Sequence, residues 1–438
     1  MKLKFKLVFW AILLIATFFL IKLSSAPDSW VNWYIGTTKS ELWAISQKLG
    51  NYSSSEPELG IASLLSENSV DEGAIPTLDL EVATTKIFPS QPSVPYNFPL
   101  GWYDSITNLD TPAQIADEGM NLIMPYTGKH SVQEVKTYLD RAAAAGIMVM
   151  VEIPRIEVRR DHRWLITQFV KQLKNHPAVY GWYLFDEPEF TKMSPRILER
   201  VYRAIKAEDP QHPVTIAFGR LLYIRKYLKA LDTVMYFKYP IMDNSPEFSG
   251  LENGTFSKLL NTATVIAQKP HDVWFILQGY GRDKYGRQTK FKRRLPTAAE
   301  ARYMVYSGIL AQADGLFFWT HYRSQQQWID SVLSPIIQEL KNCLPTIENE
   351  TFNSRLGNEI AVDNSSIQVR LYRNSTTQDL VLIAINHSNR KLNTAIAIKE
   401  NIQVNSAQVL SAEGSIDIYG GLLQDIFEPY GVNIYQLK

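Results

Sequence analysis

Two adjacent acidic residues, Asp186 and Glu187, follow an apolar stretch of the chain and directly precede Pro188. Residues 181–185 of that stretch read Gly-Trp-Tyr-Leu-Phe, which is typical of a buried strand. Burial and the mutual repulsion of two carboxylates raise the pKa of at least one of them, which gives a proton donor near neutral pH. We therefore expect Glu187 to act as a general acid with Asp186 beside it. The alternative is a structural ion pair with a loop arginine such as Arg155.

An alternation of extended apolar runs and helix-period segments surrounds these acids. The predicted strands are residues 100–103, 122–126, 148–153, 180–185, 214–218, 234–239, 273–277 and 316–319. The predicted helices are residues 111–118, 131–145, 162–175, 195–208, 221–231, 255–268, 297–312 and 328–342. Strands that read as continuous apolar runs between helices favour a parallel sheet covered by helices. Eight such units in about 245 residues predict a closed (β/α)8 barrel, the TIM barrel.

The pattern changes beyond Pro345 to short alternating strands, predicted at residues 367–372, 380–386, 394–398, 407–410 and 432–437. This alternation predicts a small antiparallel β-sandwich. We therefore expect an α/β barrel domain over residues 98–345 and a C-terminal β-sandwich domain over residues 346–438.

The N-terminal 26 residues have the features of a targeting segment. Lys2, Lys4 and Lys6 precede an apolar run over residues 7–21, and small residues follow at positions 24–26. This arrangement predicts a signal peptide, and an uncleaved membrane anchor is the alternative. In either case we expect export, to the periplasm, to the medium or to the outer face of a membrane. Residues 27–97 read as an acidic linker rich in Ser and Pro.

Composition excludes several classes of function. The chain has 438 residues, with 45 Lys or Arg and 44 Asp or Glu, and so has no basic surplus for nucleic acid. One cysteine, Cys343, rules out a disulfide framework and a zinc site built on several cysteines. No paired-histidine zinc motif or glycine-rich nucleotide loop occurs in the sequence. We therefore expect no cofactor, no metal and no nucleic-acid partner, and the oligomeric state stays open.

Reactive side chains of such barrels lie just beyond the carboxyl ends of the strands, a face that we call the mouth. The polar residues expected to contact substrate there are Asp104, Glu152, Gln278 and His321. Pyranose rings stack on aromatic faces, and the aromatic residues expected to contact substrate are Trp102, Tyr239, Trp319 and Tyr322. For each of these aromatic residues, packing in the core is the alternative role.

The predicted loops of the mouth carry a surplus of bases. Residues 282–294 contain seven Lys or Arg residues and one acid. The loop after the third strand adds Arg155, Arg159, Arg160 and Arg163. Arg220, Arg225 and Arg323 follow the fifth and eighth strands. A rim of one sign attracts anions, which predicts an anionic glycan as the partner, unless the bases are solvated or are neutralised by Asp186, Glu187 and the acidic linker.

The strand-four motif Asp186-Glu187-Pro188 resembles that of the retaining (β/α)8 glycoside hydrolases, including the β-galactosidase-like barrels. Their fourth strand ends in Asn-Glu-Pro or a close variant, and the glutamate is the general acid/base. The resemblance implies this role for Glu187, with Asp186 in place of the usual asparagine. It covers about residues 98–344, and residues 296–304 and 427–432 are also similar to the family.

One position departs from this family. The resemblance implies a nucleophilic glutamate at the end of strand seven, where this chain has Gln278. An amide cannot form the glycosyl ester that retention requires. Another carboxylate could serve instead, with Asp186 and Glu152 as the first candidates and Asp104 and Asp243 behind them, and an inverting mechanism needs only a base. The sequence thus favours an exported glycoside hydrolase. The alternatives are a non-catalytic polysaccharide-binding protein of the cell surface, and a lyase or another non-hydrolytic enzyme that acts on an anionic glycan.

Overall fold

The computed structural model describes residues 98–267, 269–281, 292–348, 359–399, 401–410 and 414–438. The predicted targeting segment and acidic linker lie outside the described residues, and so does most of the base-rich loop at residues 282–291. Within the described ranges, no helix combines the length and the apolar character needed to cross a membrane.

Eight parallel strands form a closed barrel in sequence order. They are β1 Leu100–Asp104, β2 Leu122–Pro125, β3 Met148–Glu152, β4 Val179–Asp186, β5 Val214–Phe218, β6 Thr233–Phe237, β7 Asp272–Gln278 and β8 Gly315–Trp319. Each strand pairs with its neighbour along the chain, and β8 closes the barrel by pairing with β1 at Leu100 and Leu316. The predicted barrel is therefore confirmed.

Helices follow the strands and cover the barrel. They are α1 Thr111–Asp117, α2 Val132–Ala144, α3 Arg155–Arg159, α4 Arg163–Leu173, α5 Pro195–Glu208, α6 Leu221–Ile224, α7 Thr255–Ala267, α8 Ala298–Leu310, α9 Gln326–Trp328 and α10 Ser334–Glu348. Capping boxes fix the starts of two of them, with Ser131 capping α2 and Thr297 capping α8. The helix expected at residues 221–231 is split, because α6 passes into a 3₁₀ helix at Arg225–Ala230.

The last barrel helix also differs from expectation. The segment predicted as one helix over residues 328–342 begins with α9 and a π-helical stretch at Ile329–Leu333 before α10. Helix α10 then continues through Pro345 to Glu348, past the predicted domain border. The Pro345 carbonyl accepts a hydrogen bond of 2.9 Å from Asn374 Nδ2 of the C-terminal domain, which supports the helix end.

The C-terminal domain consists of two antiparallel sheets, in the orders β10-β11-β16-β13-β14 and β15-β12-β9. Its strands are β9 Ile360–Val362, β10 Ile367–Arg373, β11 Leu380–Asn386, β12 Leu392–Ile398, β13 Ser406–Val409, β14 Ser415–Asp417, β15 Leu422–Phe427 and β16 Val432–Leu437. The predicted sandwich is confirmed, although β9, β14 and β15 escaped prediction. In β15 the outward positions carry Leu422 and Ile426, so the strand lacks the polar alternation that identifies a half-buried strand.

Polar contacts join the C-terminal domain to barrel helices α7 and α8. Tyr372 Oη donates a hydrogen bond of 3.0 Å to the carbonyl of Ile309 in α8. Tyr303 of α8 and His387 of the sandwich lie 2.6 Å apart, measured from Oη to Nδ1. Burial lowers the pKa of His387 to about 4, so this contact holds a neutral imidazole at neutral pH.

Candidate functional site

The end of β4 places two carboxylates at the mouth. Pairing between β4 and β5 shifts register between Tyr183 and Phe185, which is a bulge in the strand just before Asp186. Glu187 follows with a φ of 54°, an uncommon left-handed conformation for a residue other than glycine. The backbone N–H of Glu187 donates a hydrogen bond of 3.0 Å to the Ala217 carbonyl at the end of β5, so this turn is fixed.

Hydrogen bonds and an ion pair hold Asp186 in place. Tyr183 Oη donates to Asp186 Oδ1 at 2.8 Å, and Arg155 Nη2 lies 3.4 Å from Oδ2. The same guanidinium nitrogen lies 3.4 Å from Oε1 of Glu152, so Arg155 bridges the ends of β3 and β4. Tyr103 Oη in turn donates to Tyr183 Oη at 3.2 Å. These donors favour the ionised form of Asp186.

The Glu187 carboxyl group is in a different state. It is half-buried and has no hydrogen-bond or ion-pair partner among the residues that the structure describes. Burial, and then the charges of Asp186 and Glu189, raise the pKa of Glu187 to about 8, against the opposing effect of Arg155. Burial also raises the pKa of Asp186, but Arg155 and the Tyr183 hydroxyl oppose that rise. At neutral pH Glu187 therefore carries a proton, while Tyr183 and Arg155 stabilise the ionised form of its neighbour Asp186.

A third carboxylate beside the pair was not identified from the sequence. Oε1 of the buried Glu189 accepts hydrogen bonds from the backbone N–H groups of Gly219, at 2.7 Å, and Arg220, at 3.1 Å. Burial raises the pKa of Glu189 to about 7. Glu189 thus ties the loop after β4 to the end of β5. The only sequence signal was its position two residues after Glu187.

Gln278, at the end of β7, is fully buried and engaged with the backbone. Its Oε1 accepts from the Ile241 N–H at 2.9 Å, and its Nε2 donates to the Ile241 carbonyl at 2.9 Å. Nε2 also lies 2.9 Å from the Arg294 carbonyl and 3.3 Å from the Tyr280 carbonyl. Gln278 therefore joins the loops after β6 and β7, and we assign it a structural role in place of the expected substrate contact.

The end of β1 is a buried polar cluster. Trp102 is fully buried, and its indole N–H donates to Glu118 Oε2 at 3.0 Å. His321 Nε2 lies 2.9 Å from Glu118 Oε1, and His321 Nδ1 lies 4.0 Å from Oδ1 of Asp104. Burial raises the pKa of the inaccessible Asp104 to about 6. Because the ring of Trp102 has no accessible face, we place it in the core and correct its predicted stacking role.

The aromatic residues predicted after β6 and β8 come together at the mouth. Tyr239 and Trp319 are half-buried and stack with ring centroids 5.8 Å apart and an interplanar angle of 22°. Trp319 Nε1 donates to Tyr126 Oη at 2.8 Å, which fixes the indole. Tyr322 is 41% exposed, and the Arg323 guanidinium lies 5.3 Å from the ring centroids of both Trp319 and Tyr322. These rings are placed to offer aromatic surface to a ligand.

The described residues include part of the basic rim of the mouth. Arg155 and Arg323 lie at the mouth, as their contacts above establish, and the Arg220 guanidinium lies 4.9 Å from the ring centroid of Phe190. Arg294, by contrast, forms a bidentate ion pair with the buried Glu300, with nitrogen–oxygen distances of 2.6 and 2.8 Å. That base is therefore neutralised by Glu300, an acid that the sequence analysis did not consider.

A separate cavity of about 540 Å³ lies between the loops after β6, β7 and β8, and Arg294, Thr297 and Trp328 are among its lining residues. None of the carboxylates at the end of β4 lines it. Over the described part of the chain, no group of three or more His, Cys, Asp or Glu side chains is arranged to hold a metal ion.

The chain folds as a closed parallel (β/α)8 barrel followed by an antiparallel domain. Three solved structures share this fold. An α-amylase from Geobacillus thermoleovorans complexed with acarbose has a TM-score of 0.52 at 9% identity, over 78% of this chain and 98% of that one. Eubacterium rectale Amy13B has a TM-score of 0.52 at 9% identity, over 80% of this chain and 97% of its own. A glycoside hydrolase family 5 protein from Bacteroides vulgatus has a TM-score of 0.50 at 14% identity, over 78% and 88%.

At these identities the similarity establishes the fold alone. No protein-family model matches the sequence, and no curated protein matches it. The fold that the strand-four resemblance predicts is confirmed by these structures, and the activity has to be argued from the site.

Proposed function

We propose that this protein is an exported glycoside hydrolase that cleaves a polysaccharide or oligosaccharide with Glu187 as the general acid. The observation that carries the proposal is the half-buried Glu187 carboxyl group, which lacks a partner among the described residues and has a pKa of about 8. A carboxylic acid that keeps its proton at neutral pH can give it to a leaving glycosidic oxygen. Export is proposed from the sequence of residues 1–26.

The reaction is a single displacement. Glu187 gives its proton to the glycosidic oxygen as the bond from that oxygen to the anomeric carbon breaks. A water molecule attacks the anomeric carbon and releases its proton to an ionised carboxylate, so that one bond is broken and one is formed. Because Gln278 supplies an amide where retention needs a nucleophile, we propose inversion at the anomeric carbon.

Asp186 is the proposed base. It is half-buried, and Tyr183 and Arg155 stabilise its ionised form. Glu152 shares Arg155 but is more deeply buried, and its Oε2 accepts a hydrogen bond of 2.8 Å from the Gly128 N–H. Asp186→Asn should therefore reduce turnover far more than Glu152→Gln, and the reverse order would assign the base to Glu152.

The proposed substrate is an anionic glycan. Tyr239, Trp319 and Tyr322 offer aromatic surface, and Arg155 and Arg323 bring positive charge to the same face. Salt screens such charges, so substrate binding should weaken as ionic strength rises. Binding that is independent of salt would instead indicate a neutral glycan. The proposal includes no nucleic-acid partner, and contact with the membrane only through the N-terminal segment.

The test is the release of reducing ends from a panel of neutral and anionic polysaccharides by the full chain. Glu187→Gln keeps the size of the side chain and removes the transferable proton. Glu199→Gln is the matched control, because Glu199 lies on α5 and pairs with Arg203. Release by the native chain and the control, but not by Glu187→Gln, supports the proposal. Equal release by all three chains would remove Glu187 from the mechanism.

The second candidate function is a polysaccharide-binding protein without catalysis. The observation that favours it is Gln278, whose amide is fully used in hydrogen bonds to the backbone where the resembling family has its nucleophile. In that case no chain releases reducing ends, whereas the native chain and Glu187→Gln both retain polysaccharide in a binding assay.

A further inference from the structure

Three large apolar side chains are exposed in the segment that follows β3. Ile156 is 50% exposed, Trp164 is 69% exposed and Leu165 is 43% exposed. Ile156 lies in α3, and Trp164 and Leu165 lie in the first turn of α4. We call residues 156–165 the outer platform. Large apolar groups that are concentrated in one exposed segment mark an interaction surface.

The core does not need these side chains. Val158 of α3 and Ile166, Phe169 and Val170 of α4 are buried and attach the two helices to the barrel. Helix α4 thus has an ordinary buried face, and Trp164 lies outside it. Since replacing an exposed side chain leaves no cavity, Trp164 can be altered without loss of the fold.

The charge of the outer platform is positive. Its exposed bases are Arg159, Arg160 and Arg163. Its two acids are engaged locally, since Glu157 Oε2 lies 2.6 Å from His162 Nδ1 and Asp161 pairs with Arg200 at 2.7 Å and with Arg163 at 3.4 Å. Arg159 and Arg160 carry the remaining positive charge. The surface therefore combines an indole ring with guanidinium groups that can bind carboxylate or sulfate.

The outer platform is continuous with the mouth. Helix α3 begins at Arg155, whose guanidinium contacts Asp186 and Glu152. The guanidinium groups of Arg155 and Arg159 lie 5.6 and 5.8 Å from the centroid of the Phe185 ring, at the end of β4. Helix α3 thus places Arg155 beside the candidate catalytic carboxylates and Arg159 closer to the exposed apolar residues.

We propose that the outer platform binds an anionic polysaccharide whose chain continues outward from the mouth. Trp164 stacks on a sugar ring, and the neighbouring arginines bind the acidic groups of the polymer. A flexible polymer can lie in the mouth and on the platform at once. The choice of a glycan as the occupant rests on the proposed function, but the binding surface does not require catalysis.

The test measures the affinity of the full chain for polygalacturonate and alginate, and for trisaccharides of the same uronic acids. Trp164→Ala should weaken polymer binding about tenfold and leave trisaccharide binding unchanged, because only a long chain reaches the platform. Tyr419→Ala is the matched control, since Tyr419 is 76% exposed on the C-terminal domain. Arg160→Gln should make polymer binding less dependent on salt.

Two outcomes would overturn the inference. One is equal polymer affinity for the native chain and Trp164→Ala. The other concerns vesicle flotation. If Trp164→Ala kept its polymer affinity but floated less than the native chain with phosphatidylglycerol vesicles, and not with phosphatidylcholine vesicles, the platform would be assigned to a membrane surface. Failure of the proposed hydrolysis would give a different result. The native chain would release no reducing ends, but its polymer affinity would still exceed that of Trp164→Ala.

Discussion

The ends of β4 and β7 lie in the same barrel mouth and have opposite characters. At the end of β4, the Glu187 carboxyl is half-buried and has a pKa of about 8. At the end of β7, Gln278 is fully buried, and its amide contacts backbone groups of Ile241, Tyr280 and Arg294. The end of β4 therefore provides a proton donor, whereas the end of β7 holds two loops together.

This difference shows that position at a barrel mouth is not enough to assign chemistry. A group can act on a substrate only when its hydrogen-bonding capacity is not already spent on the protein. Gln278 uses both its acceptor and its donors on the backbone, whereas the half-buried Glu187 carboxyl group has no hydrogen-bond partner among the described residues. We expect substitutions at the two strand ends to separate into effects on activity and effects on stability.

The largest effect is expected for Glu187→Gln. Loss of the proton donor should lower kcat by about 10²–10⁴-fold, the range typical of general acid catalysis, and should not lower the free energy of unfolding at neutral pH, because glutamine resembles the protonated carboxyl group. Kinetics on the substrate found in the reducing-end assay, together with urea unfolding, measure both quantities. A variant with full kcat would show that the end of β4 is not the reactive one.

Gln278→Ala should have the opposite effect. It leaves buried backbone groups at Ile241 and Arg294 without their partner, which should lower the free energy of unfolding by about 2–4 kcal/mol. Gln133→Ala, on the exposed face of α2, is the control in urea unfolding. If Gln278→Ala were as stable as that control, the amide would not be structural.

Gln278→Glu tests the same difference between the ends of β4 and β7, because it introduces the carboxylate that the resembling family has at this position. The new carboxylate would face the carbonyl oxygens of Ile241 and Arg294, and burial there should raise its pKa. The loss of stability should therefore grow as pH rises above about 4.3, where the same glutamate ionises in the unfolded chain. We expect no gain in activity, and a faster enzyme would contradict the structural role of this position.

The barrel strands and the acids after β4 could be predicted because each depends on residues that are adjacent in the sequence. The eight apolar runs and the carboxylates after β4 are visible in one stretch of chain each, so barrel strands were placed within one or two residues of their bounds. Trp102 was misplaced because barrel strands are apolar on both faces, and the sequence does not tell which face a tryptophan occupies. The network of Gln278 and the contacts of Glu189 depend on loops far apart in sequence, so no local pattern could have indicated them.

A smaller effect concerns the pH dependence of stability. Burial raises the pKa of Glu187 to about 8 and that of Glu189 to about 7, so between about pH 4.5 and pH 8 the folded chain holds protons that the unfolded chain releases. The free energy of unfolding should therefore fall as pH rises through this window. Glu187→Gln should flatten that fall, because each unit by which burial raises the pKa corresponds to about 1.4 kcal/mol, and Glu199→Gln should leave the fall unchanged. Equal slopes in all three chains would mean that Glu187 ionises normally.

The smallest effect is expected for the aromatic surface of the mouth. Tyr322→Ala removes a ring that is 41% exposed, so it should weaken glycan binding about threefold without changing stability. Trp102→Phe removes the indole donor to Glu118, and should lower stability without changing affinity. Calorimetric titration and thermal unfolding of both variants check this pair, and an affinity loss confined to Trp102→Phe would reverse the assignment.

The most direct test of the account is the pKa of Glu187 itself. Carbon-13 labelling of glutamate carboxyl groups allows NMR titration, and comparison of the native chain with Glu187→Gln assigns the resonance. We predict that this resonance titrates at about pH 8, so that the carboxyl carries its proton at neutral pH. A midpoint near the ordinary value of 4.5 would contradict it, because an ionised Glu187 has no proton to give to a leaving group.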